Sequence, residues 1–240
     1  MPTVYELRQY TLRPGTRDAF IAHFDEHFVE SQEAAGISVV GQFRDLDRPD
    51  MFVWIRGFAD MATRRDGLEQ FYTGPAWRAH GQHANSMLLD SDNVLLLKPA
   101  RPGSDWDAAP CPRAVVGSKA ESATVFEVSV HPLTAHQGGH FDELYTEQFE
   151  PLLIAGSEIT PIATLRTETA ANTFPRLPVR EKEHVFVTMS RFADEATYDT
   201  HVGVRTTQPS STQLTGRVHL LTAEAPQILR LAPTPRSTLS

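Results

Sequence analysis

A single cysteine, Cys111, flanked by two prolines, leaves no partner for an intrachain disulfide and no thiolate set for a metal cluster. Runs rich in Lys or Arg are also missing. With a formal net charge of −8, the chain lacks the basic footprint that nucleic acid or an anionic membrane needs. No apolar run approaches the roughly 18 residues of a membrane span. The opening Met1-Pro-Thr-Val-Tyr-Glu6 enters a strand pattern without a basic, then apolar, leader, so a reduced cytoplasmic setting is expected. GxSxG, P-loop, dinucleotide-fingerprint and paired-carboxylate motifs are all absent, which leaves hydrolase, kinase and Rossmann oxidoreductase readings without support. The 40% hydrophobic content is nevertheless enough for a real core, so a small organic molecule or a protein is the expected partner.

What the chain does contain is a repeat. Phe58-Ala-Asp-Met-Ala-Thr63 recurs as Phe192-Ala-Asp-Glu-Ala-Thr197 at an offset of 134, which also superimposes Val94-Leu-Leu-Leu-Lys-Pro99 on Ile228-Leu-Arg-Leu-Ala-Pro233. Near the start of each half the offset is 121, aligning Tyr5-Glu6-Leu7 with Phe126-Glu127-Val128. The difference places about 13 extra residues in the second half, most simply in the polar stretch 167–183 before the strand-like Val185-Phe-Val-Thr-Met189.

Alternation from Val4 to Leu12 predicts a strand with Glu6, Arg8 and Tyr10 on one face and Tyr5, Leu7 and Gln9 on the other. Phe20, Phe24 and Phe28 at i, i+4, i+8 predict a helix over 16–35, stopped by Gly36. Strands over 37–44 and 51–58 form a hairpin. Asp60 caps a helix to Tyr72, Gly74-Pro75 breaks it, and a short helix over 76–84 leads to a strand at 94–97. The order is βαββαβ, ferredoxin-like, and the second half repeats it. The fold class expected is therefore α+β, with two tandem ferredoxin-like repeats pairing their antiparallel sheets as an α+β barrel. Its parts are a first repeat over 1–100, a Pro/Gly/Ala-rich linker over 101–122, a divergent second repeat over 123–235 and a tail over 236–240.

Tyr5-Glu-Leu-Arg-Gln-Tyr10, Phe52-Val-Trp-Ile-Arg-Gly-Phe-Ala-Asp60, Phe71-Tyr-Thr-Gly-Pro-Ala-Trp77 and Asp90-Ser-Asp-Asn-Val-Leu-Leu-Leu97 together resemble bacterial NIPSNAP-family proteins. That resemblance implies the dimeric α+β barrel superfamily, which includes cofactor-free monooxygenases, polyketide cyclases and haem enzymes. It supplies no catalytic motif.

The halves differ where chemistry would sit. Arg8 aligns with Ser129, Trp54 with Thr188, Arg56 with Ser190, Tyr72 with Thr206, Trp77 with Ser211, His80 with Leu214 and His83 with Arg217. One pocket in the first half is therefore expected, without a counterpart of comparable polarity in the second. Arg8 or Arg56 would stabilise an oxyanion, His80 or His83 would move a proton, and Trp54, Tyr72 and Trp77 would bind substrate. The competing reading makes the tryptophans core and the arginines structural ion pairs. Whether this face looks to the helices or into the barrel is open from sequence.

A rival grouping brings His23 and His27, with Glu26 nearby, to His80 or His83 as a metal site, but no HExxH pattern completes a ligand set. His136 and His140 read as surface or cap residues. The expectation is no metal and no cofactor, a small, partly aromatic or polyketide-like ligand, and cyclisation, proton transfer or oxidation without a cofactor. A homo-oligomer is compatible with the sequence. A non-enzymatic scaffold or protein-interaction module is the alternative.

Overall fold

The computed structural model describes residues 2–106, 112–134, 138–156, 159–207, 213, 216–218 and 220–239. Cys111, His136, Ser211 and Leu214 lie outside the described residues. The first half runs β1 (Val4–Leu12), α1 (Arg17–His27), α2 (Val29–Glu33), β2 (Ser38–Asp45), β3 (Met51–Phe58), α3 (Met61–Thr73), α4 (Pro75–Met87) and β4 (Leu88–Pro99). The second runs β5 (Val125–Pro132), α5 (Gly138–Leu144), a π-helical turn Tyr145–Phe149, α6 (Glu150–Gly156), β6 (Thr160–Thr167), β7 (Val185–Phe192), α7 (Glu195–Thr207) and β8 (Gln227–Pro233).

Local chemistry accounts for the element ends. Asp60 accepts a hydrogen bond from the Thr63 amide at 2.7 Å, and Asp194 accepts one from the Thr197 amide at 2.8 Å, so the recurring hexapeptide is in both cases a strand end plus an N-cap. Gly36, at φ +78°, takes the left-handed turn that ends α2. Pro75 opens α4, where its missing N–H costs nothing.

The eight strands among the described residues join one closed antiparallel barrel in the order β1-β3-β2-β8-β5-β7-β6-β4. Closure leaves no bare sheet edge. Register agrees between the halves: Val4 pairs with Phe58 as Val125 pairs with Phe192, and Leu7 with Leu95 as Val128 with Leu229. The register shift between Val39 and Gly41 on β2 recurs between Pro161 and Ala163 on β6.

Alternation divides the side chains as expected. Tyr5, Leu7, Val53, Ile55, Val128 and Val187 fill the barrel interior with other aliphatic residues, leaving a void of only about 10 Å³. The interior is a core, not a site. At one point between the halves, Gln9 and Gln227 exchange hydrogen bonds at 3.0 Å in both directions. The 101–122 segment is more than a linker, since Trp106 packs edge-on to Tyr5 at 4.8 Å and Tyr5 donates to Asp105 at 2.6 Å. The expected tail is also packed, because Arg236 is 3% exposed and donates to the Ala114 carbonyl and to Glu30.

Candidate functional site

Glu6, Arg8, Tyr10, Trp54 and Arg56 lie on the outer face of the barrel, under the helices, which resolves the question that the sequence left open. Between that sheet face and the helices is a cavity of about 340 Å³. Arg8, Tyr10 and Trp54 form its floor, Phe20, Phe24 and Phe28 one wall, and Phe71, Tyr72 and Trp77 the other. The spacing of the three phenylalanines is what brings them to one side of α1 and its continuation.

The extra residues of the second half supply the roof. Phe174, 4% exposed, stacks on Tyr72 at 5.9 Å, and Leu177 and Pro178 line the cavity beside it. The loop is fastened from below: Arg64 Nη1 donates to Asn172 at 2.9 Å, and the Thr173 hydroxyl donates to the Met61 carbonyl at 3.1 Å.

Beneath the floor one carboxylate serves three guanidinium groups. Glu6 Oε2 lies 2.5 Å from Arg8 Nη1 and 2.7 Å from Arg56 Nη2, and Oε1 lies 2.6 Å from Arg64 Nε. All four side chains are at most 1% exposed. Burial by itself would raise the Glu6 carboxyl, but Arg56, Arg8 and Arg64 override it and hold it well below the usual carboxylate range. The cluster carries two positive charges in excess of negative ones. Only Arg8 of the three reaches the cavity, donating through Nε to the Tyr10 hydroxyl at 3.0 Å and lying 5.7 Å from the Trp54 ring centre. The Trp54 indole N–H, buried in the cavity floor, has no hydrogen-bond partner among the described residues. Arg176 and Asp92 add one charge of each sign to the lining, so the site offers donors and a net positive potential between aromatic walls.

Of the sequence-derived candidates, Arg8, Trp54, Tyr72 and Trp77 line the cavity together. Arg56 lies below it, bonded to Glu6 and Gln32, so its role is to hold the floor. His80 and His83 do not line it. They point from the flank of α4 toward His23 and His27 on α1, where His27 stacks on His80 at 3.6 Å and His23 meets His83 at 4.8 Å. His23 Nε2 is 3.0 Å from the His80 carbonyl, and burial lowers its pKa, with the neighbouring histidines adding to the effect. Among the described residues no group of three or more His, Cys, Asp or Glu is placed to hold a metal ion.

The second half does not lack a polar pocket, contrary to the sequence expectation. A cavity of about 430 Å³ occupies the matching place, with Glu127, Ser129, His131 and Thr188 on its sheet side and His201 and Arg205 on its helix side. The small residues Ser129, Thr188 and Ser190 open the space instead of closing it. Polar groups enter at positions where the first half has Tyr10, Gly67 and Phe71, which become His131, His201 and Arg205 at the two offsets. The signal was available: Glu127 matches Glu6.

Over the whole barrel the chain is similar to solved structures at low identity. An anthrone oxidase-like protein matches with a TM-score of 0.62 at 13% identity, covering 98% of this chain and 92% of the other. A "putative monooxygenase" from Lactobacillus acidophilus matches at 0.57 and 13%, covering 97% and 94%. Another from Fusobacterium nucleatum matches at 0.59 and 9%, covering 97% and 93%. At such identities these likenesses establish the fold alone. No curated protein matches. The NIPSNAP family model matches residues 5–101, the strands and helices that supply the floor and walls of the first cavity, so this first half of the chain is similar to NIPSNAP domains.

Proposed function

We propose that the first cavity binds a small planar aromatic molecule bearing an acidic oxygen, such as a carboxylate, phenolate or enolate. The observation that carries this reading is the excess of two buried guanidinium charges beneath an aromatic-walled cavity. An anionic ligand would offset a charge imbalance that the protein alone leaves standing. Arg8 and the Trp54 N–H would meet the oxygen, and Tyr72, Trp77 and Phe174 would sandwich the ring. A pure scaffold has no use for such a floor.

The same donors would stabilise charge developing on a ketone oxygen as it enolises and its α-proton passes to water, which is how the site would favour proton transfer or cyclisation of a polyketide-like substrate without a cofactor, and oxidation where dioxygen accepts the electrons. His80 and His83 are not part of this chemistry. The matching registers, bulges and N-caps support the further reading that 1–100 and 123–235 are copies of one ancestral ferredoxin-like unit.

Titration with 2-naphthoate, followed by quenching of tryptophan fluorescence, tests the proposal. Saturable binding should weaken at least tenfold in Arg8→Met, whose Glu6 keeps two guanidinium partners and whose fold should persist. Equal binding to both proteins, or none to either, would favour the non-enzymatic scaffold.

A further inference from the structure

The second cavity makes the opposite chemical demand from the first. Glu127, Ser129 and His131 stand at i, i+2, i+4 on β5, so all three face the helices. Glu127 Oε1 is occupied, accepting from the Ser129 hydroxyl at 3.0 Å and from Arg205 Nη1 at 2.7 Å. Among the described residues Glu127 Oε2 and His131 Nδ1 are buried without a hydrogen-bond partner, and the Tyr198 hydroxyl also faces the Glu127 carboxylate, its pKa raised by burial and by that charge. His131 is only 6% exposed, and burial, reinforced by the Arg205 cation, lowers its pKa to about 4, so the imidazole is neutral near pH 7.

The charges on the wall cancel. Arg205 is paired with Glu127, His131 is uncharged and burial lowers the pKa of His201, so neither an anion nor a cation gains from entering. Glu127 Oε2 is an acceptor, and His131 Nδ1 is a second one when the ring proton sits on Nε2, so both ask for donors. Buried polar groups in native proteins are satisfied by protein, water or ligand, and about 430 Å³ is far more than the roughly 30 Å³ share of one water. Glu127 and His131 are four residues apart on one strand, about 13 Å between their Cα atoms, so two donors on one molecule must be well separated. Tyr145, Phe149, Val218 and Ile228 complete the lining with aromatic and aliphatic surface.

We propose that the second cavity is a separate binding site for an elongated, uncharged aromatic diol, whose two hydroxyls donate to His131 Nδ1 and Glu127 Oε2 while its rings pack against Tyr145 and Phe149. The inference does not depend on the reading of the first cavity. One chain would then hold two sites of opposite selectivity, one built from donors for an acidic molecule and one built from acceptors for a neutral molecule.

Calorimetric titration of the full chain with 2,6-dihydroxynaphthalene tests it. One equivalent should bind. His131→Phe keeps the ring that packs on Phe141 but removes both nitrogens, and should weaken binding at least tenfold. Thr188→Trp places there the residue that the first half carries at the matching register, fills the cavity, and should abolish binding. Cooperative thermal unfolding confirms that each variant is folded, and if one is not, the other decides. Arg8→Met should bind the diol as the unaltered chain does. The proposal is overturned if the diol does not bind, if folded His131→Phe or Thr188→Trp binds it normally, or if Arg8→Met rather than the second-half variants loses it.

Discussion

Replacing Glu6 by Gln keeps the shape of the side chain and removes the only negative charge among three buried guanidinium groups. The consequence can be sized from the geometry. Each ion pair has an N–O separation of 2.5 to 2.7 Å and no solvent exposure above 1%, so screening by water is minimal. Removing one member of a buried pair typically costs about 3–5 kcal/mol, because the other charge stays behind unpaired. Here three charges stay behind, so 3–5 kcal/mol is the lower end. In a chain of this size that corresponds to a fall of roughly 6–20 °C in melting temperature. Differential scanning calorimetry or urea titration followed by far-UV circular dichroism would measure it. A second substitution gives the sign: Glu6→Gln with Arg8→Met should be more stable than Glu6→Gln alone, since one of the repelling cations is gone. A Glu6→Gln protein within about 1 kcal/mol of the unaltered chain, or a double variant less stable than the single, would refute the account of the cluster.

Gly81 faces the Trp77 ring so closely that an added Cβ would sit 2.7 Å from two of its atoms, so Gly81→Ala should displace the indole and weaken 2-naphthoate binding, read by fluorescence titration, even though alanine favours the helix by about 1 kcal/mol. Phe174→Ala removes the roof without touching the floor and should speed dissociation of 2-naphthoate in stopped-flow measurements, leaving 2,6-dihydroxynaphthalene binding unaltered. Acid should destabilise the protein in two stages: His131 has a folded pKa depressed to about 4 from 6.5, so about 3 kcal/mol present above pH 6.5 is lost as pH falls toward 4, and urea midpoints of His131→Phe should lack that stage. The Glu6 carboxyl is also depressed, so its contribution is present above the ordinary value of 4.5 and is lost below it, in a second stage that His131→Phe retains.

The strands were legible because side-chain alternation and turn residues are local: Val4–Leu12 and Met51–Phe58 have the same limits in the sequence reading and in the structure. Closure of the barrel followed from two half-apolar sheets needing cover. The walls of the first cavity followed from the contrast between Trp54 or Trp77 and their small counterparts. His80 and His83 were misplaced for a reason that helical geometry explains. Taking Trp77 as inward on α4, Gly81 and Ala84 fall within about 40° of it, whereas His80 lies about 60° and His83 about 120° away. The second cavity was missed because Tyr10, Gly67 and Phe71 were not among the positions compared, so His131, His201 and Arg205 arising opposite them went unseen. The Glu6 cluster was half visible: Glu6, Arg8 and Arg56 alternate onto one face, but Arg64 joins from α3 through tertiary packing that no local pattern encodes.

The roof over the first cavity has a temporal consequence. Phe174 and Asn172 are more than 100 residues downstream of the Arg64 and Tyr72 side chains they touch, and they hang from a hairpin in the opposite sheet. As the chain emerges during synthesis, the first half can assemble its four strands and its aromatic walls, yet its cavity stays open to water until β6 and β7 have docked. Slow release from that cavity therefore requires that β6 and β7 have docked. A molecule that binds there stabilises the finished protein more than the half-built one, so an abundant ligand would draw late folding forward by that difference in affinity.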